Sequence, residues 1–75
     1  MLEEIKELII EQLDVEREEI TLESKFVEDL GADSLDLMEL ASSFEEKYEV
    51  TIDKEELKKI VKVGDIVELI KIKKG

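Results

Sequence analysis

Gly31-Ala32-Asp33-Ser34-Leu35-Asp36-Leu37-Met38-Glu39-Leu40-Ala41-Ser42-Ser43-Phe44-Glu45-Glu46-Lys47-Tyr48 is the stretch that decides how this chain folds. Leu37, Leu40, Ala41, Phe44 and Tyr48 recur at helical steps, so a helix from about Ser34 to Tyr48 turns them onto one inward stripe. Asp33 precedes the first periodic residue and suits the N-cap, and Asp36 places negative charge in the first turn, where the helix dipole favours it. Gly31 supplies a flexible or left-handed position just before the helix. A second stripe, Leu35, Met38, Ser42, Glu45 and Glu49, is one that a single core cannot easily bury, which makes it a candidate docking surface.

Outward from this helix the pattern stays helical. Ile5, Leu8, Ile9 and Leu13 predict a first helix over roughly Glu3 to Leu13. From Asp14 to about Asp33 the period is lost, yet Val15, Ile20, Leu22, Phe26 and Leu30 keep returning, so the long connection must be pinned to the rest, with a short helical turn expected after Ser24. Downstream, Asp53 followed by Glu56 has the form of a capping box and opens a third helix of two turns through Leu57 and Ile60. Val63, Ile66, Val67 and Ile70 mark a fourth, ended by Lys71, Lys73 and Lys74, whose charge suits the C-terminal dipole. No β alternation of comparable length competes. The fold class is all-α, a four-helix bundle with a long connection between helices 1 and 2 and a short third helix.

Composition narrows the function. At 75 residues the chain makes one domain, too small for a large buried catalytic cleft. With no Cys and no His, disulfides, thiolate metal sites, cysteine nucleophiles and imidazole bases are excluded. The 22 acidic against 11 basic residues give a net charge of -11, which repels nucleic acid and anionic membranes. Charge is uneven, since residues 28–49 hold eight acids and one Lys while residues 58–75 hold six Lys and two acids. The longest apolar run, Leu8-Ile9-Ile10, is far short of a membrane span, and the first residues lack a basic-then-apolar signal pattern. A soluble cytoplasmic protein is expected. Around Glu28, Asp29, Asp33 and Asp36 the acids have the wrong spacing for an EF-hand, so no metal site is expected.

Asp33 and Ser34 read locally as a helix cap. The unsatisfied N–H groups and positive dipole at the same terminus would also favour a covalently attached phosphate, by ~0.3 to 1 kcal/mol. Phe26-Val27-Glu28-Asp29-Leu30-Gly31-Ala32-Asp33-Ser34-Leu35-Asp36 resembles the signature around the modified serine of acyl carrier proteins of the bacterial fatty-acid-synthesis type. The likeness extends to the first helix, the pinned connection, Glu39 and Glu45-Glu46, and Val63-Gly64-Asp65, which is nearly the whole chain, so residues 1–75 are expected to form a single acyl carrier domain. It implies that a phosphopantetheine transferase esterifies Ser34, flanked by Asp33 and Leu35, with 4'-phosphopantetheine. The arm's thiol would carry acyl groups as thioesters, and partner enzymes would do the chemistry.

Asp36, Met38, Glu39, Ser42, Glu45 and Glu46 would then meet basic patches on acyl-chain-processing enzymes. The carrier is expected to be a monomer without catalytic residues of its own. The family also shelters acyl chains between helices, and Leu40, Ala41, Ile52, Ile60 and Val67 are suitable walls. Three departures stand out from the commoner fatty-acid pattern: Ser42 replaces a frequent Met, Asp53 stands where Pro is common after Ile52, and Lys62 where Thr is common. Ser42 leaves open a dedicated carrier of a specialised pathway, such as polyketide or nonribosomal peptide synthesis. Two other readings differ in class, a cation-binding module and an unmodified acidic interaction domain.

Overall fold

The computed structural model describes residues 2–74. Four helices, α1 (Leu2–Leu13), α2 (Ser34–Tyr48), α3 (Lys54–Lys58) and α4 (Val63–Lys74), surround one apolar core, with a 3-10 turn at Arg17–Glu19 inside the long connection. Among the described residues there is no strand beyond a single antiparallel bridge between Lys25 and Lys62. The four-helix architecture expected from periodicity is the one observed.

The core comes from the stripes read in the sequence. Ile5 and Ile9 of α1, Leu40, Ala41 and Phe44 of α2, and Val63, Ile66, Val67 and Ile70 of α4 are all buried. Leu8, Leu13, Leu37 and Tyr48, expected inside, are half-buried and pack against the core margin. The α1–α2 contact is closed by polar bonds at its edges: Tyr48 donates its hydroxyl to Glu4 at 2.8 Å, and Gln12 donates to Glu39 at 2.8 Å. Burial pushes the Tyr48 phenol up to about 12, and the bond to Glu4 adds to the shift.

The long connection is pinned as expected, through buried Ile20, Phe26 and Leu30, while Leu22 stays largely exposed. Phe26 N–H donates to the Val61 carbonyl (2.9 Å) and Val63 N–H to the Ser24 carbonyl (2.9 Å), tying the connection to the start of α4. Gly64 lets the two segments approach closely, because a Cβ would sit 3.0 Å from the Leu22 carbonyl oxygen that its own N–H binds and would push the connection outward. The 3-10 turn was not expected; Arg17 holds it against α1 by pairing with Glu3 (2.8 Å) and Glu7. After Ser24 the chain forms one turn, with Asp29 N–H on the Lys25 carbonyl, that does not propagate into helix.

α3 is shorter than two turns. Its capping box forms as read, with the Asp53 carboxylate accepting from Glu56 N–H at 2.9 Å. Lys59 and Ile60 N–H then bond three residues back, to Glu56 and Leu57, which tightens the chain and ends the helix before Ile60. Ile60 turns into the core instead.

Candidate functional site

Ser34 owes its position to a sequence of local constraints. Gly31 is left-handed (φ 74°), and Ala32, buried, donates its N–H to the Phe26 carbonyl at 2.8 Å, which fixes where α2 begins. Asp33 is the N-cap in extended backbone: its carboxylate accepts from Asp36 N–H (2.9 Å) while the Asp36 carboxylate accepts from Asp33 N–H (3.2 Å). Both acids next to Ser34 are thus occupied in capping. The Ser34 and Leu35 N–H groups, in the first turn, have no carbonyl behind them and face outward. Ser34 itself is exposed, and its hydroxyl makes no hydrogen bond among the described residues.

A groove of about 470 Å³ opens beside that hydroxyl, lined by Val27, Ser34, Leu37, Met38, Lys54, Leu57, Lys58 and Ile60. It runs between α2 and α3 and is apolar apart from Ser34 and the two lysines, whose stems cover apolar wall while the ammonium groups stay wet. Deeper in, a void of about 10 Å³ lies among Phe26, Leu37, Leu40, Ala41, Phe44, Leu57, Ile60 and Ile66. Leu37, Leu57 and Ile60 line both spaces and so form the wall between groove and core.

The second stripe of α2 is exposed as its spacing requires. Leu35 and Met38 are 64% and 53% exposed, large values for apolar side chains, and Ser42 and Glu46 are exposed beside them. The acids differ in freedom. Asp36 and Glu39 both accept from the Gln12 amide (3.5 and 2.8 Å), and the Glu45 carboxylate accepts from the Ile52 N–H at 2.7 Å. Glu46 makes no such bond among the described residues. Among those residues no group of three acids converges as a metal site would require.

The phosphopantetheine attachment site family matches residues 3–70 of the chain. Over 72 residues the sequence is 54% identical to the acyl carrier protein of Wolinella succinogenes, covering 96% of this chain and 95% of that one. The chain belongs to the acyl carrier protein family. A relative from Helicobacter acinonychis, also named acyl carrier protein, is 50% identical over 93% of this chain and 90% of its own length. A solved structure from Mycobacterium tuberculosis, described as a candidate acyl carrier protein, superposes with a TM-score of 0.88. It is 31% identical and covers 95% of each chain.

Acyl carrier proteins bear their cargo on phosphopantetheine and do not catalyse its conversion themselves; they present it to processing enzymes. The carrier's site fits that group. Ser34 offers an exposed hydroxyl, without a hydrogen bond among the described residues, at the positive end of a 15-residue helix, and the groove of about 470 Å³ beside it is mostly apolar. When bound, the arm supplies the thiol that the sequence lacks, and with it thioester chemistry.

Of the five walls expected from the sequence, Ile60 lines the groove, whereas Leu40 and Ala41 border the inner void and Ile52 and Val67 are buried in the core; Val27, Leu37, Lys54, Leu57 and Lys58 were not expected there, nor was the bond from Gln12 to the two α2 acids. The lysines carried a signal, since Lys54 and Lys58 are spaced to share a face of α3 with Leu57 between them. Gln12 is the only Gln in the chain but has no pattern around it.

Proposed function

We propose that Ser34 is the residue esterified with 4'-phosphopantetheine, and that the chain serves as a single carrier domain of fatty acid biosynthesis, working as a cytoplasmic monomer. The observation that supports this most is the Ser34 hydroxyl, exposed and unbonded at the head of α2, at the rim of an apolar groove. Asp33 and Leu35 frame it. The Asp33 and Asp36 carboxylates would repel an attached phosphodiester and so disfavour its lying over the capping box. Val27, Leu37, Met38, Leu57 and Ile60 are the walls against which an acyl chain would lie, as sheltering requires.

Docking follows from charge. Asp36, Glu39, Glu45 and Glu46, with Leu35, Met38 and Ser42, give α2 an acidic face with a small apolar centre near the arm. Basic patches on a phosphopantetheine transferase and on acyl-chain-processing enzymes would be steered to it, with association rates that fall as salt is added. Ser42 favours a second reading: an exposed hydroxyl in the middle of this stripe narrows the apolar contact, as a carrier dedicated to a specialised pathway would tolerate.

Incubation with coenzyme A and a phosphopantetheine transferase tests the assignment. The intact mass should rise by one phosphopantetheine, and Ser34→Ala should stay unmodified while keeping its melting temperature. A folded wild-type chain that stays unmodified would overturn it. Acyl groups found on the carrier in its native host decide between the two pathways.

A further inference from the structure

We propose that Glu45 couples partner docking to opening of the groove: a partner's arginine or lysine that takes the Glu45 carboxylate withdraws it from the Ile52 N–H and frees α3 to swing outward. The inference rests on Ser34 being the attachment residue, and it gives one docking acid a task that the others do not share.

The joint between α2 and α3 hangs on Glu45. The chain leaves α2 through left-handed Glu49 (φ 54°), and Val50 N–H returns to the Glu45 carbonyl at 3.2 Å. Two residues on, Ile52 N–H meets the Glu45 carboxylate at 2.7 Å, a short charge-assisted bond. A single residue therefore holds the connection by its backbone and its side chain. Beyond the joint, α3 has only five residues, and among the described residues its ion pair to α4 is Lys73 with Glu56 at 3.0 Å.

Opening matters because the groove is walled off from the core. Leu57 of α3 and Ile60 just after it make two of the three side chains shared by groove and void. The void, about 10 Å³, is no larger than one water-sized probe, so no alkyl chain passes beneath the wall unless these side chains move. Releasing Ile52 N–H leaves a partly buried donor without an acceptor, which favours movement of the loop toward water. Glu45 is half-buried and so reachable, and a guanidinium can take both of its carboxylate oxygens at once. Glu46, the next residue, is exposed and holds no backbone group, so it can attract a partner without disturbing the joint.

The test compares hydrogen exchange of the Ile52 amide in wild type, Glu45→Gln, Glu45→Ala and Glu46→Gln, each with and without a tetra-arginine peptide as the cationic probe. Glu45→Ala should exchange at Ile52 about tenfold faster or more without peptide, the factor that 1.4 kcal/mol produces. Glu45→Gln keeps an oxygen acceptor but loses the charge assistance, so its Ile52 protection should lie between wild type and Glu45→Ala and should not respond to the peptide. Wild type and Glu46→Gln should both lose Ile52 protection when the peptide is added. Unchanged exchange in Glu45→Ala, or a peptide response in Glu45→Gln equal to wild type, would overturn the proposal. Because exchange is read on the apo protein, its result stands apart from loading by coenzyme A and transferase. Failed loading counts against Ser34; an inert Glu45 counts against the gate alone.

Discussion

Asp33 can be removed without touching Ser34, which separates the shape of the site from its chemistry. Asp33→Ala deletes the acceptor of the 2.9 Å bond from Asp36 N–H, while the return bond, Asp36 to Asp33 N–H, needs only backbone on the mutated side and persists. One half of the capping box is lost. Substituting such an N-cap by Ala costs ~1 kcal/mol, within a range of roughly 0.5 to 2. For a domain of this size each kcal/mol moves the melting temperature by ~4 to 8 °C. Asp33→Asn and Asp33→Ser keep an oxygen in the same place and should melt within a few degrees of wild type. Thermal unfolding by circular dichroism reads all four proteins. If Asp33→Asn falls as far as Asp33→Ala, the carboxylate acts through charge rather than through the cap, and the account of how α2 starts is wrong.

Tyr48→Phe removes the hydroxyl bonded to Glu4 and should cost ~0.5 to 1.5 kcal/mol at neutral pH. The Tyr48 phenol is raised from 10.0 to about 12, so the folded state holds that proton more tightly; the stability it contributes is present below about pH 10 and fades as pH climbs toward 12. A pH series of denaturant titrations in which Tyr48→Phe keeps the same alkaline loss as wild type would contradict this. Asp65 has the opposite sign: N–H bonds from Lys62 and Val61 hold its carboxyl below the ordinary 3.8, so its contribution exists above that value and is lost as pH falls through the folded-state value. Asp65→Ala should therefore be destabilised by ~1 kcal/mol at pH 7 and converge on wild type in acid, as urea midpoints would show. With a net charge of -11, the melting temperature should rise as salt goes from ~0.01 to ~0.1 M and the Debye length shrinks from ~30 to ~10 Å. A flat salt response would show that self-repulsion is not a sizeable term.

How far the sequence could be read depended on whether a feature was periodic or paired. α2 was legible to the residue because a cap, a box partner and a complete stripe coincide at Asp33, Asp36 and Leu37 to Tyr48. α1 and α4 followed from their stripes alone. The 3-10 turn at Arg17–Glu19 has three residues and no period; it depends on Arg17 reaching Glu3 and Glu7, contacts between segments that spacing cannot reveal. α3 was overextended because Leu57 and Ile60 keep a helical interval, whereas tertiary packing draws Ile60 inward and converts the last bonds to the tighter pattern. At the proposed site, Ser34 stood out by motif, but the groove did not, because its walls come from Val27 in the connection, two residues of α2 besides Ser34, and four in and after α3.

These wall residues point to a physical reason why the groove borders the shortest α-helix of the bundle. A carrier must hold an apolar chain out of water and then give it up, so the shelter cannot be as well packed as the rest of the core. α3 meets that need. At five residues it is below the length at which helix propagation repays nucleation, and its start is held twice, by Asp53 and Glu56 in the capping box and by Glu45 to Ile52 just before it. Leu57 and Ile60 then fill the wall when no chain is present. The acids proposed to draw a basic partner to α2 include Glu45, which holds the Ile52 bond just ahead of α3. The proposed attachment residue Ser34 and the proposed latch Glu45 thus lie about three turns apart on one helix, close enough for one partner surface to act on both.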